Sequence, residues 1–114
     1  MNDILPRTIT RPMSFDNGCA NGMSHRWHGG QYCSIMTKVG IVGCGIYDCD
    51  TAAEFGQAIA IAKGTPSKPL VDPEDLLSAS IVNVTPQAEA YGITRGMSGK
   101  EAVEKMLAAE SGLA

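Results

Sequence analysis

A chain of 114 residues with 44% hydrophobic and 18% charged residues has enough apolar content for one small core and excludes a disordered chain. Its net charge of -3, with no basic run and no interleaving of basic with aromatic residues, argues against nucleic-acid binding. No apolar run reaches the roughly 18 residues that cross a membrane, and MNDILPRTITRP lacks the apolar stretch of a signal peptide, so a cytoplasmic protein with no membrane partner is expected.

A single domain over residues 1–114 is expected, β-rich from 5 to 48 and α/β from 49 to 114. Thr8, Ile9 and Thr10 open a β-prone segment that ends at Asp16-Asn17-Gly18, a strong hairpin signal. The next segment, Cys19 to His28, contains Asn21-Gly22, which reads as a break. Gly29-Gly30 turns the chain. Tyr32 to Thr37 and Val39 to Tyr47 read as two strands joined near Lys38-Val39-Gly40. Glycines inside the second mark a bulge or a close backbone approach.

Beyond residue 48, helix starts alternate with short strands. Thr51 and Glu54 are spaced as a capping box, and so are Ser98 and Glu101. Asp72-Pro73 and Thr85-Pro86 each place a cap before a first-turn proline. Ala58 to Ala62, between Gly56 and Gly64, reads as a buried strand, and so does Ile81 to Val84. The last helix, Ser98 to about Ser111, sets Ala102, Met106 and Leu107 on one face with Val103 beside them. The expected class is α+β: an antiparallel β region, then alternating short helices and strands, then a C-terminal amphipathic helix. Aromatics are only 5%, so the core is built from small aliphatic side chains. Such a core buries little area per residue, and association into a homo-oligomer would add burial.

Certain runs carry a family resemblance. They are Val39-Gly-Ile-Val-Gly-Cys-Gly45, Ala58-Ile-Ala-Ile-Ala-Lys-Gly64, Asp75-Leu-Leu77, and Val84 through Gly96-Met-Ser-Gly-Lys-Glu-Ala102. Over about residues 35–107 the chain resembles the YunC-like family, small bacterial and archaeal proteins of unknown function. The resemblance implies an α+β fold whose N-terminal β region forms a tetramer, and it implies no activity. His25-Arg26-Trp27-His28 and Cys19 lie outside its pattern.

Candidate chemistry centres on Cys44, between Gly43 and Gly45. One reading is a reactive thiol, approached past the glycines and made acidic by a nearby cation or by the helix starting at Thr51, with Cys49 as a resolving partner. The other is a small buried hydrophobe. Binding candidates are Gly43, Gly45, Arg95 and Ser98. The last two flank the Gly-rich turn before the final helix, whose N–H groups could hold an anion. Helix capping by Glu101 explains the same turn. Asp48 and Asp50 read as pre-cap residues or as the wall of a pocket beside Cys44. The acids Asp72, Glu74 and Asp75 read as first-turn helix residues.

A zinc module could draw on His25, His28, Cys19, Cys33, Cys44 and Cys49. Yet the chain has no Cys-x2-Cys pair, and on a strand His25 and His28 face opposite ways. No metal and no cofactor are therefore assigned. The three function classes on the table are a homo-oligomer of unknown role, a thiol-dependent enzyme or redox protein, and a zinc-binding module.

Overall fold

The computed structural model describes residues 5–112. Six strands form one sheet in chain order: β1 (Arg7–Phe15), β2 (Gly18–Trp27), β3 (Gly30–Met36), β4 (Gly40–Gly43), β5 (Ala58–Lys63) and β6 (Ser80–Val84). All neighbours are antiparallel except β4 and β5, which are parallel. Three helices accompany them: α1 (Cys49–Glu54), α2 (Pro86–Glu89) and α3 (Gly99–Glu110). The fold is α+β, strands first and the amphipathic helix last, as the sequence leads one to expect.

The antiparallel meander follows from its turns. Asp16-Asn17 joins β1 to β2, and both turn N–H groups bind the Glu104 carboxylate of α3, at 3.1 and 3.0 Å. β2 runs unbroken through Asn21-Gly22, contrary to the sequence reading. Gly22 is there for a different reason. A Cβ on it would lie 2.6 Å from Met13 Sδ and 2.8 Å from Pro73 Cγ. The missing side chain lets Pro73–Leu76, a 3-10 turn and not the α-helix suggested by Asp72-Pro73, seat on β2. Around that seat Arg11 grips Glu74 through both guanidinium arms, at 2.8 and 2.6 Å, and Arg26 pairs with Asp72.

One sheet face carries the main core. Ile35, Val42, Ala60, Ala62 and Ile81 meet Leu76, Ile93 and the α3 stripe Ala102, Val103, Met106 and Leu107, all essentially buried. Each large side chain there contributes about 1.5–3 kcal/mol. β5 is buried on both faces, with alanines toward this core and Ile59 and Ile61 toward α1 on the other. Small side chains on one face let the α2 region approach closely.

One cap and one strand end differ from expectation. Asp48, not Thr51, caps α1: its carboxylate accepts from the Asp50 N–H at 3.0 Å and from the Thr51 hydroxyl at 2.7 Å. β4 ends at Gly43 rather than running to Tyr47, because the chain leaves the sheet to form α1 before returning as β5. Thr85 does cap α2, and it does more. Its buried Oγ accepts from Ile59 N at 3.1 Å and from Ala88 N at 3.2 Å, tying β5 to α2.

Thr85→Val keeps the shape and strands those two buried N–H groups. At 1–3 kcal/mol per orphaned group, it is expected to destabilise by about 2–4 kcal/mol in urea unfolding. Thr85→Ser, which retains the oxygen, is expected to recover most of that loss.

Candidate functional site

The β3–β4 register fixes the central feature. Ser34 lies opposite Gly43, Ile35 opposite Val42 and Met36 opposite Ile41. One step further along the same antiparallel register, Cys33 faces Cys44, and the Cys44 N–H donates to the Cys33 carbonyl at 3.1 Å. Residues directly opposite share a sheet face, so both thiols point into the helix-covered side. Cys33 is fully buried and Cys44 is 8% exposed, so a reagent from solvent meets Cys44 first.

Of the two thiols, Cys44 is the more acidic. The Cys33 thiol donates a hydrogen bond to the Cys44 sulfur, and backbone N–H groups, that of Ile46 foremost, add to it. Together they outweigh partial burial and lower the Cys44 pKa to about 6. Cys33 moves the other way. Its thiol is held protonated by the hydrogen bond to Cys44, then by burial, with the charges of Cys44, Asp75 and Asp72 adding. Ser24 sits opposite Cys33 on β2, donating to the Val71 carbonyl at 2.8 Å and accepting from Arg26 Nε at 3.1 Å.

The glycines beside Cys44 play unequal parts. A Cβ on Gly43 would strike the Tyr47 ring at 2.5 Å, so Gly43 seats that tyrosine on the opposite face and does not open a path to Cys44. Around Gly45 there is open space within 4 Å of where a Cβ would stand. Tyr47 begins a row of rings, meeting Tyr32 edge-on at 5.9 Å, with Tyr32 stacked on His25 at 4.4 Å and Trp27 tilted at 6.0 Å. Burial raises the Tyr47 pKa, the neighbouring Ser34 hydroxyl opposing it, so the phenol is neutral at pH 7. Ser34 Oγ is buried without a hydrogen bond of normal geometry, close to that phenol.

The remaining sequence candidates lie elsewhere. Cys49 packs with Ala52, Ile59, Ile61 and Tyr47 in a separate cluster, whereas Cys44 belongs to the main core. Burial raises the Cys49 pKa, Asp48 and Asp50 add to the rise, and Arg95 opposes it. The Arg95 guanidinium donates to Asn83 at 3.1 Å and so sits at β6. Ser98 caps α3 in a reciprocal box with Glu101. The Gly96–Gly99 turn runs along the outer edge of β6: Gly96 N donates to the Ile81 carbonyl and Ile81 N to the Met97 carbonyl, both at 2.8 Å. With β5 and β6 between them, the turn lies three strand spacings, about 14 Å, from β4, as an edge cover rather than a wall of the Cys44 site.

The zinc candidates do not converge. His25 Nδ1 shares a 2.8 Å hydrogen bond with Thr8 Oγ1 on the sheet face opposite Cys33. Among the described residues no group of three or more His, Cys, Asp or Glu side chains is placed to hold a metal. Cys33 is the functional residue the sequence reading did not pair. The signal was present, because a turn centred on Lys38-Val39 puts residues 33 and 44 at equal distances along its two arms.

A family model described as a domain of unknown function, DUF1805, matches residues 43–106. The YunC-like resemblance over residues 35–107 is a likeness to this same family. The crystal structure of a protein of unknown function, TA1206, from Thermoplasma acidophilum is similar, with a TM-score of 0.75 at 19% identity, covering 88% of this chain and 93% of that one. At that identity the likeness speaks to fold alone. No curated protein matches the chain.

Gly43→Ala forces the Tyr47 ring away and is expected to destabilise by about 1–3 kcal/mol. Gly45→Ala adds a methyl to open space and is expected to stay within about 0.5 kcal/mol of the parent. Urea unfolding of the two variants side by side checks the contrast.

Proposed function

The chain belongs to the DUF1805 family, and we propose that it is a thiol-dependent enzyme or redox protein whose reactive group is Cys44. One observation carries this reading. A slightly exposed cysteine at the end of a strand lies directly opposite a fully buried second thiol, and thiol and backbone donors around its sulfur lower its pKa to about 6. A cysteine serving only as core filler needs no such donors, and its pKa would rise on burial. The open space at Gly45 and the exposed side chain of Ile46 leave one side of Cys44 free for a small reactant. The described cysteines are all free thiols, which fits a reducing compartment such as the cytoplasm.

A homo-oligomer, a tetramer, assembled through β1–β3 is the second part of the proposal. α1 packs against β5, and the described helices leave the same face of β1–β3 bare. On that face Trp27 is 44% and Met36 38% exposed, beside Tyr32 and Met23. A chain with so small a core gains burial by covering that surface.

Alkylation by iodoacetamide, followed site by site by mass spectrometry, tests the thiol reading. Cys44 is expected to label fastest, with a rate that rises through a midpoint near pH 6 and is flat above it, following the thiolate fraction. A Cys44 rate at pH 7 no greater than that of the unfolded chain refutes the reading. Light scattering tests the assembly. The parent is expected to be oligomeric at micromolar concentration and a Trp27→Glu, Met36→Glu double variant monomeric. A monomeric parent overturns that part.

A further inference from the structure

We propose that Cys33 is the resolving thiol of Cys44, and that the pair reduces a small-molecule disulfide by closing into a cross-strand disulfide of its own. The inference rests on Cys44 being the reactive thiol and adds its partner and its substrate class.

Geometry selects Cys33 from the other cysteines. Residues directly opposite in an antiparallel pair have Cα atoms roughly 4.5–5.5 Å apart, inside the roughly 4.4–6.8 Å span of a disulfide. The Cys44 N–H donates to the Cys33 carbonyl at 3.1 Å, which holds the two residues face to face on the core side of the sheet. Cys49 belongs to the cluster under α1, and Cys19 is exposed opposite Ser14 on the β1–β2 hairpin. The backbone beyond Cys44 has room to follow closure. Gly45 has no neighbour within 4 Å of a Cβ position, and Ile46 is 58% exposed. With Cys44 only 8% exposed, the reactant is a small disulfide rather than one embedded in a folded protein.

The exchange balances without another co-reactant. The Cys44 thiolate attacks one sulfur of R–S–S–R, forming a mixed disulfide and expelling RS⁻. The charge on Cys44 is now gone, and with it the largest cause holding the proton on Cys33. Cys33 gives its proton to the departing thiolate and attacks Cys44 Sγ. The Cys33–Cys44 bond forms, the mixed disulfide breaks, and the second RS⁻ leaves. The substrate gains two electrons and becomes one thiol and one thiolate, which takes its proton from water, and the cysteine pair loses two electrons and becomes a disulfide.

The test treats the full chain with bis(2-hydroxyethyl) disulfide, followed by thiol counting and peptide mapping. The parent is expected to lose two thiols per chain, to yield a Cys33–Cys44 linked peptide and to keep no adduct. Cys33→Ser is expected to accumulate the hydroxyethylthio adduct on Cys44, and Cys49→Ser to close as the parent does. A parent that keeps the adduct on Cys44, or bridges it to Cys19 or Cys49, overturns the inference while Cys44 remains the reactive thiol. A parent in which Cys44 takes no adduct and forms no bridge overturns the underlying reading as well. The parent's peptide map decides the matter even if Cys33→Ser does not fold.

Discussion

The parallel pairing of β4 with β5 governs the rest of the molecule. The strands of the β1–β4 meander follow one another through turns, but two parallel strands cannot be joined that way. The chain must leave β4, cross one face and re-enter at the opposite end, where β4 began. That forces β4 to stop at Gly43, puts α1 on the face opposite α3, and leaves residues 44–48 outside the ladder. Cys44 is therefore the last residue held by β3 and the first one released from the sheet. Held, it is locked opposite Cys33. Released, it has the free N–H of Ile46 to stabilise a thiolate. A β-hairpin at the same place would have kept the ladder intact and given that N–H a backbone partner.

The same crossover separates two kinds of surface. Alternation along β4 sends Cys44 to the core face and Gly43 to the other. Gly43 is filled by the Tyr47 ring, which continues into Tyr32, His25 and Trp27. The thiol pair and the aromatic row thus begin at adjacent residues and diverge. The thiol pair lies where helices cover the sheet, and the aromatic row where the described helices leave it bare. Asp72 and Asp75, on the segment packed under β2 and β3, add a little to the rise of the Cys33 pKa, whose larger causes are Cys44 and burial.

The sequence made local punctuation legible and long-range pairing only partly so. The caps at Thr85 and Ser98 were readable, because a side-chain oxygen three residues before an N–H is a local geometry. The α1 start was misplaced at Thr51 because two acceptors competed. Asp48 offers two carboxylate oxygens and holds the Thr51 hydroxyl as a donor, so the stronger acceptor moves the cap upstream. Asn21-Gly22 read as a turn because Gly22 is a turn residue by composition. Its cause is Pro73, some fifty positions later, and no local rule carries that information. Cys44 stood out between two glycines. Its partner did not, since Cys33 acquires meaning only once the hairpin register is drawn.

That asymmetry bears on how the site is built. The DUF1805 match begins at Gly43 and takes in Cys44, α1 and everything through Met106, while Cys33 and the whole β1–β3 meander lie before it. The matched part alone supplies a cysteine at a strand end with the backbone N–H groups of Cys44 and Ile46 near its sulfur. Each of these neutral donors counts for less than burial, which raises a thiol pKa. The largest lowering influence comes from Cys33 on β3. The meander thus brings the second thiol opposite Cys44 and fixes it there by an antiparallel ladder buried against α3 and the Pro73–Leu76 turn. Removing a hydrogen bond from that ladder should loosen the thiol pair before it unfolds the domain, because the acidity of Cys44 depends on a sulfur contact whose two halves belong to different parts of the chain.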